Sequence, residues 1–170
     1  MFALDVTFTL DLKQLAQVYQ TLQKTVHPDR FANGSEQEKL LAVKKSTLIN
    51  DAYQTLKNPI KRAEYMLNLR NVNMPNEQVS FSDNSFLMRQ MELREMLAEV
   101  REANDVDAAI AEITQVLNIE FEQLFKSMQV QLNENTEAAN ALACQNLRKL
   151  KFYQKLHVEL DKLEDLLFDD

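Results

Sequence analysis

At 170 residues, with 45% hydrophobic side chains, one glycine, three prolines and no tryptophan, the chain has room for one ordinary or two small domains and suits an all-α protein rather than a sheet. A single cysteine (Cys144) excludes an internal disulfide, and two histidines (His27, His157) cannot complete a zinc or iron–sulfur ligand set, so no cofactor is expected. The net charge of −7 argues against nucleic acid as a partner, and the absence of a bilayer-length apolar run or a basic-then-apolar leader argues against a membrane and for the cytoplasm.

The charge is unevenly spread. Residues 1–72 hold 10 Lys and Arg against 7 Asp and Glu, giving +3, whereas residues 73–170 hold 9 against 19, giving −10. Such asymmetry implies two units, the first suited to an acidic surface and the second to a basic one.

In the first unit, Thr9 and Asp11 stand where an N-cap belongs, with Gln14 three residues beyond Asp11. Leu12, Leu15, Ala16, Tyr19 and Leu22 then recur at helical spacing, predicting about four turns. That pattern stops at His27-Pro28-Asp29, because proline lacks a donor N–H and pushes the residue before it out of the helical region. Ser35 and Glu38 form a capping-box pattern opening a second helix, whose stripe is Ile49, Ala52, Tyr53 and Leu56. The two helices should pair antiparallel with the tripeptide in the loop between them. Asn58-Pro59 restarts the chain into a short helix through Ala63, Tyr65, Met66 and Leu69. A histidine near a helix end ordinarily satisfies the last carbonyls, and Asp after Pro is common turn chemistry. The alternative is that rigid helices present an imidazole and a carboxylate to a partner.

Residues 73–80 lose periodicity and read as a connector. Three longer helical patterns follow over 81–170: about Asp83 to Ala103, a second after Asp105 (Ile110, Ile113, Leu117, Phe121, Leu124, Met128), and a third from near Thr136 (Leu142, Leu150, Tyr153, Leu156, Leu160, Leu163, Leu167). Short connections predict an antiparallel three-helix bundle. At 100° per residue, Phe86, Gln90, Leu93, Leu97 and Val100 make the core stripe of its first helix. Met88, Met91, Glu92, Glu95 and Glu99 fall opposite, with Leu87 flanking. Scattered exposed apolar residues are normal, but an apolar patch in a carboxylate frame is a typical partner surface. Phe152 lies about a quarter turn off its helix's stripe and could join that patch. His157 reads as a packed or capping histidine rather than a ligand, Cys144 as a small buried apolar residue, and Arg148, Lys149 and Lys151 as a solvated face.

The His-Pro-Asp loop in this helical frame, with Asn50-Asp51-Ala52-Tyr53-Gln54-Thr55-Leu56, Pro59 and Arg62-Ala63-Glu64-Tyr65, resembles a J-domain. The run Phe86-Leu87-Met88-Arg89-Gln90-Met91-Glu92-Leu93-Arg94-Glu95 and Leu147-Arg148-Lys149-Leu150-Lys151-Phe152 are similar to the helical bundle of the HscB family of iron–sulfur co-chaperones, a likeness spanning essentially the full chain. That family usually opens with a short aromatic-rich helix, whereas this sequence starts at Met1-Phe2-Ala3-Leu4. The resemblance implies that His27, Pro28 and Asp29 engage a DnaK/HscA-class chaperone and stimulate its ATPase. The basic residues expected on that side are few, Lys13 and Lys24, with Arg30 supplementing them. It also implies that Leu87, Met88, Met91, Glu92, Glu95, Glu99 and Phe152 bind an IscU-type cluster-scaffold protein. A J-domain adaptor for a different client is the main rival. A helical-bundle enzyme fares worse, with no nucleophile–base pair or phosphate-cradling loop in the sequence. So does a structural coiled coil, because the heptads break at 104 and 133–135.

Overall fold

The computed structural model describes residues 2, 6–32, 34–75 and 83–168, with backbone alone at Pro28 and Phe168. The described residues form helices and turns with no strand, divided into two compact units, Met1–Asn71 and Val72–Asp170. Of the connector read at 73–80, residues 76–80 lie outside the described residues, as do 81 and 82, and as do residues 3–5 of the opening segment.

In the first unit, α1 (Leu12–Val26) and α2 (Glu36–Lys57) form the expected hairpin, followed by α3 (Pro59–Leu69). Asp11 caps α1, its carboxylate accepting from the N–H groups of Lys13 (2.8 Å) and Gln14 (3.2 Å). Ser35 and Glu38 close a reciprocal capping box on α2, and hydrogen bonds from the Ser35 N–H and hydroxyl hold the Glu38 carboxyl below its ordinary pKa. Asn58 caps α3 ahead of Pro59. The hairpin seam joins Phe2, Leu15 and Ile49 with the half-buried Val18, Tyr19, Leu22, Tyr53 and Leu56, and Tyr19 stacks on Tyr53 at 4.1 Å between ring centroids. Three residues assigned to apolar stripes turn out exposed: Leu12, Tyr65 and Leu69. Leu12 stands in the first turn of α1, and the other two line an open groove of about 570 Å³ that α3 shares with Val6, Leu10 and Leu48. Phe8, which periodicity did not flag, is buried, with the guanidinium of the buried Arg62 over its ring at 5.0 Å.

In the second unit, α4 (Asn84–Glu99) runs into a 3-10 turn ending at Glu102, followed by α5 (Val106–Glu134) and α6 (Glu137–Phe168). Asp83 and Asp105 cap α4 and α5, and Asn135 ends α5 in the left-handed region at φ 54°. The α5–α6 hairpin is almost twice as long as α4. Phe86 and Leu93 of α4 and Val100 of the 3-10 turn seal only its open half, against Ile110, Ile113 and Leu117 on α5 and Tyr153, Leu156, Leu160 and Leu163 on α6. Gln90 and Leu97 are half-buried, which completes the stripe read from the sequence. Leu142, assigned to the α6 stripe, is instead half-exposed. No helix is long and apolar enough to cross a membrane among the described residues.

Candidate functional site

Two surfaces carry the chemistry-bearing residues, one on each unit. On the first, α1 stops at Val26, and His27 takes φ −56° and ψ 128°, the extended ψ that a following proline requires. Pro28–Phe31 then wind one 3-10 turn, closed by the Arg30 N–H on the His27 carbonyl (3.0 Å) and the Ala32 N–H on the Asp29 carbonyl (3.3 Å). The His27 Nδ1 accepts from the Asp29 N–H at 3.3 Å, so the imidazole caps this turn rather than the end of α1. With its lone pair on the Asp29 N–H, Nδ1 offers no hydrogen to the Asp29 carboxylate 3.4 Å away. The carboxylate is 89% exposed and takes no donor among the described residues. Arg30 reaches back, its Nη1 donating to the Lys24 carbonyl at 3.0 Å, which ties the turn to the last turn of α1. A Cβ at Gly34 would lie 3.0 Å from Glu38 Oε2 and 3.2 Å from the Phe31 carbonyl, so a larger residue would crowd the return into α2. Of the five residues assigned to this surface, His27, Asp29, Arg30 and Lys24 are exposed, and Pro28 opens the turn.

On the second unit, α4 is clamped from beneath. Arg89 donates to Glu120 of α5 through Nε and Nη2 and to Glu92 of its own helix through Nη1 (2.7 Å), and the Tyr153 hydroxyl of α6 donates to the same Glu120. Burial pushes the Glu120 carboxyl up in pKa, but the hydrogen bonds from Arg89 and Tyr153 outweigh it and hold the group below its usual value. The Lys149 ammonium, the Ser85 hydroxyl and the Phe86 N–H hold Asp83, the α4 cap, well below the usual carboxylate range. Lys149 sits 2.7 Å from Asp83 and 4.9 Å over the Phe86 ring, so it is a strut between α6 and the start of α4 and not the solvated charge read from the sequence.

This clamp fixes which face α4 turns outward. Met88 (65% exposed) and Met91 (72%) stand open, Leu87 is half-buried beside them, and Glu92, Glu95 and Glu99 are exposed along the same side. Phe152 packs edge-on against Phe86 at 5.7 Å and is only partly covered, with the Arg94 guanidinium 5.7 Å over its ring. The structure thus places Phe152 on the Leu87–Arg94 flank of α4. Arg94 is the residue here that sequence reading missed. Its position seven residues after Leu87 was a usable signal. His157 packs edge-on to Phe121, and Cys144 is buried with its sulfur 3.1 Å from that of Met74 and its thiol pKa raised by that burial. No three His, Cys, Asp or Glu side chains among the described residues converge as a metal site.

A helical hairpin that turns His-Pro-Asp outward, joined to a bundle with an open apolar face, defines the class as a J-domain co-chaperone. Residues 3–65 match the DnaJ domain and residues 82–161 the HSCB C-terminal oligomerisation domain. The chain is 64% identical to the co-chaperone protein HscB homolog of Colwellia psychrerythraea, over 100% of this chain and 97% of that protein. It is 43% identical to that of a Shewanella species, over 99% and 97%. Among solved structures it is similar to the chaperone HscB of Vibrio cholerae (TM-score 0.92, 41% identity, 98% and 97% of the two chains) and to human co-chaperone HscB (0.87, 29%, 96% and 79%). The chain belongs to the HscB family of co-chaperones.

Proposed function

We propose that this protein is an adaptor between an IscU-type iron–sulfur scaffold, bound on the α4 face, and a DnaK/HscA-class chaperone, whose ATPase the His-Pro-Asp loop stimulates. The observation that carries the reading is the pairing, on one chain of this family, of an outward carboxylate in a rigid turn with an open methionine patch framed by glutamates. The loop supplies no catalytic group. It acts by binding the hydrolysis-competent state of the chaperone better than the resting state, and that difference shifts the population. Asp29 suits the decisive contact, because a free carboxylate accepts a bidentate, charge-assisted pair from an arginine. His27, Pro28, Arg30 and Lys24 hold and flank it.

At the other end, Leu87, Met88, Met91 and Phe152 supply adaptable apolar contact, and Glu92, Glu95 and Glu99 favour a basic partner surface. The test is chaperone ATP turnover with this protein added, with and without the scaffold. Turnover should rise with the protein and rise further with the scaffold. Changing Leu87, Met88 and Phe152 together to Ala should weaken scaffold binding at least tenfold while leaving stimulation by the loop alone intact. Unchanged scaffold affinity in that variant would return these residues to a purely structural role.

A further inference from the structure

Arg94 and Arg101 line an open cleft of about 390 Å³ between α4 and α6, together with Leu97, Ala98, Glu159 and Leu163. They stand out in a unit of net charge −10. Its other well-placed cations are consumed within the fold: Arg89 by Glu92 and Glu120, and Lys149 by Asp83. Arg94 is different. Its Nη1 lies 3.7 Å from Glu159, beyond hydrogen-bond reach, and both side chains are open to solvent. Arg101 is exposed and makes no hydrogen bond or ion pair among the described residues. The cleft is also continuous with the proposed client surface, because Arg94 covers the Phe152 ring and shares a flank of α4 with Leu87.

We propose that Arg94 and Arg101 receive a carboxylate of the same client that covers Leu87, Met91 and Phe152, so that the client surface is bipolar. Its basic groups face Glu92, Glu95 and Glu99, and an acidic side chain seats in the arginine cleft. A guanidinium over an aromatic ring leaves N–H donors free for a planar carboxylate, and one whose own partner stands too far away loses little by exchanging it. The arrangement fixes orientation as well as attraction. A client rotated end for end would bring its acidic group onto the glutamates and its basic groups onto the arginines.

The inference rests on the α4 face being the scaffold-binding surface, and Arg101→Glu tests it by the sign of its effect. Reversing this charge makes an already acidic unit more acidic. A client that presents only positive charge would then bind more tightly. A client that seats a carboxylate in the cleft would bind more weakly, by roughly tenfold. The Arg101 side chain is exposed and holds no hydrogen bond or ion pair among the described residues, so the full-length variant should fold as the parent does, which far-ultraviolet circular dichroism checks. Titration calorimetry with the purified scaffold gives the affinities. Lys substitutions at the scaffold's acidic residues, taken one at a time, should include one that restores binding to Arg101→Glu. Equal or tighter binding by Arg101→Glu, with the Leu87, Met88 and Phe152 triple variant still impaired, overturns the inference and spares the α4 surface. No binding by the unaltered protein overturns both.

Discussion

The loop at residues 27–29 and the outer face of α4 are built on opposite plans. The loop concentrates its chemistry in one exposed carboxylate, held by short-range bonds within a single turn and contributing nothing to any core. The α4 face spreads its chemistry over four turns, and its aim is set by groups mostly covered by the fold, Arg89, Glu120 and Tyr153 beneath it and Lys149 at its start. A trigger can be a point, because a chaperone needs one discriminating contact to shift its population. A grip on a folded client needs area, and area needs a rigid support. Function and stability should therefore separate cleanly at the loop and remain entangled at α4.

The largest effect expected from that contrast is at Asp29. Asp29→Asn keeps the side-chain shape and the backbone N–H bonded to His27, yet removes the charge that an arginine would pair with. Chaperone ATP stimulation should fall to background, whereas the thermal midpoint and helicity stay unchanged. Full stimulation by this variant would break the contrast at its stronger end.

Next comes Glu120→Gln, a change at the partly covered anchor beneath α4. It leaves the Arg89 guanidinium only Glu92 for charge compensation and weakens the anchor for the Tyr153 hydroxyl, and should destabilise the protein by about 1–3 kcal/mol. The melting temperature should drop by several degrees. ATP stimulation by the loop, measured well below that temperature, should not move. Scaffold affinity should fall by more than the loss of folded protein explains, because the α4 face is no longer aimed.

How legible was each plan in the sequence? The loop was nearly transparent, because proline, capping residues and a single glycine act on the neighbouring backbone, and local rules reach that far. The α4 face was half legible. Helical periodicity gave the core stripe Phe86, Leu93, Val100 and hence its exposed opposite side, Met88 and Met91. It could not supply the partners of Arg89 or Lys149, which lie 31 and 66 residues away in the chain. For the same reason Lys149 reads as a solvated charge, and no local rule brings Arg94 over Phe152, 58 residues on. Leu142 fails differently: the spacing is right, but α4 covers only the open half of the α5–α6 hairpin, so a stripe position at the other end stays half-exposed.

A pH series sharpens the contrast with a smaller effect. The pKa values of Asp83 and Glu120 are both lower in the folded chain than in the unfolded one. Their contribution to stability is therefore present above the ordinary carboxylate range, near pH 4, and drains as pH falls through their depressed folded values. The urea midpoint of the full chain should decline over that interval, and less steeply in Asp83→Asn, which cannot be protonated. Glu38 adds a share of the same sign on the first unit, so comparing Asp83→Asn with Glu38→Gln apportions the acid sensitivity between the units.

The smallest expected effect decides whether the loop is preorganised at all. Among the described residues, Arg30 is the one side chain hydrogen-bonded from the His-Pro-Asp turn to α1, through its Nη1 on the Lys24 carbonyl. Arg30→Ala removes that bond and a positive charge together, so Arg30→Lys is the informative partner: it keeps the charge but lacks the fork that reaches the carbonyl. One hydrogen bond of ordinary worth, about 0.5–1.5 kcal/mol, held in the free protein, would be missing from the competent state of the turn, reducing stimulation by roughly two- to tenfold. If Arg30 serves the turn, Lys and Ala should be equally impaired. If Arg30 serves only as a charge toward the chaperone, Lys should behave as the parent and only Ala should lose activity. Neither variant should shift the melting temperature by more than a degree or two, since the bond sits on a turn outside the hairpin seam.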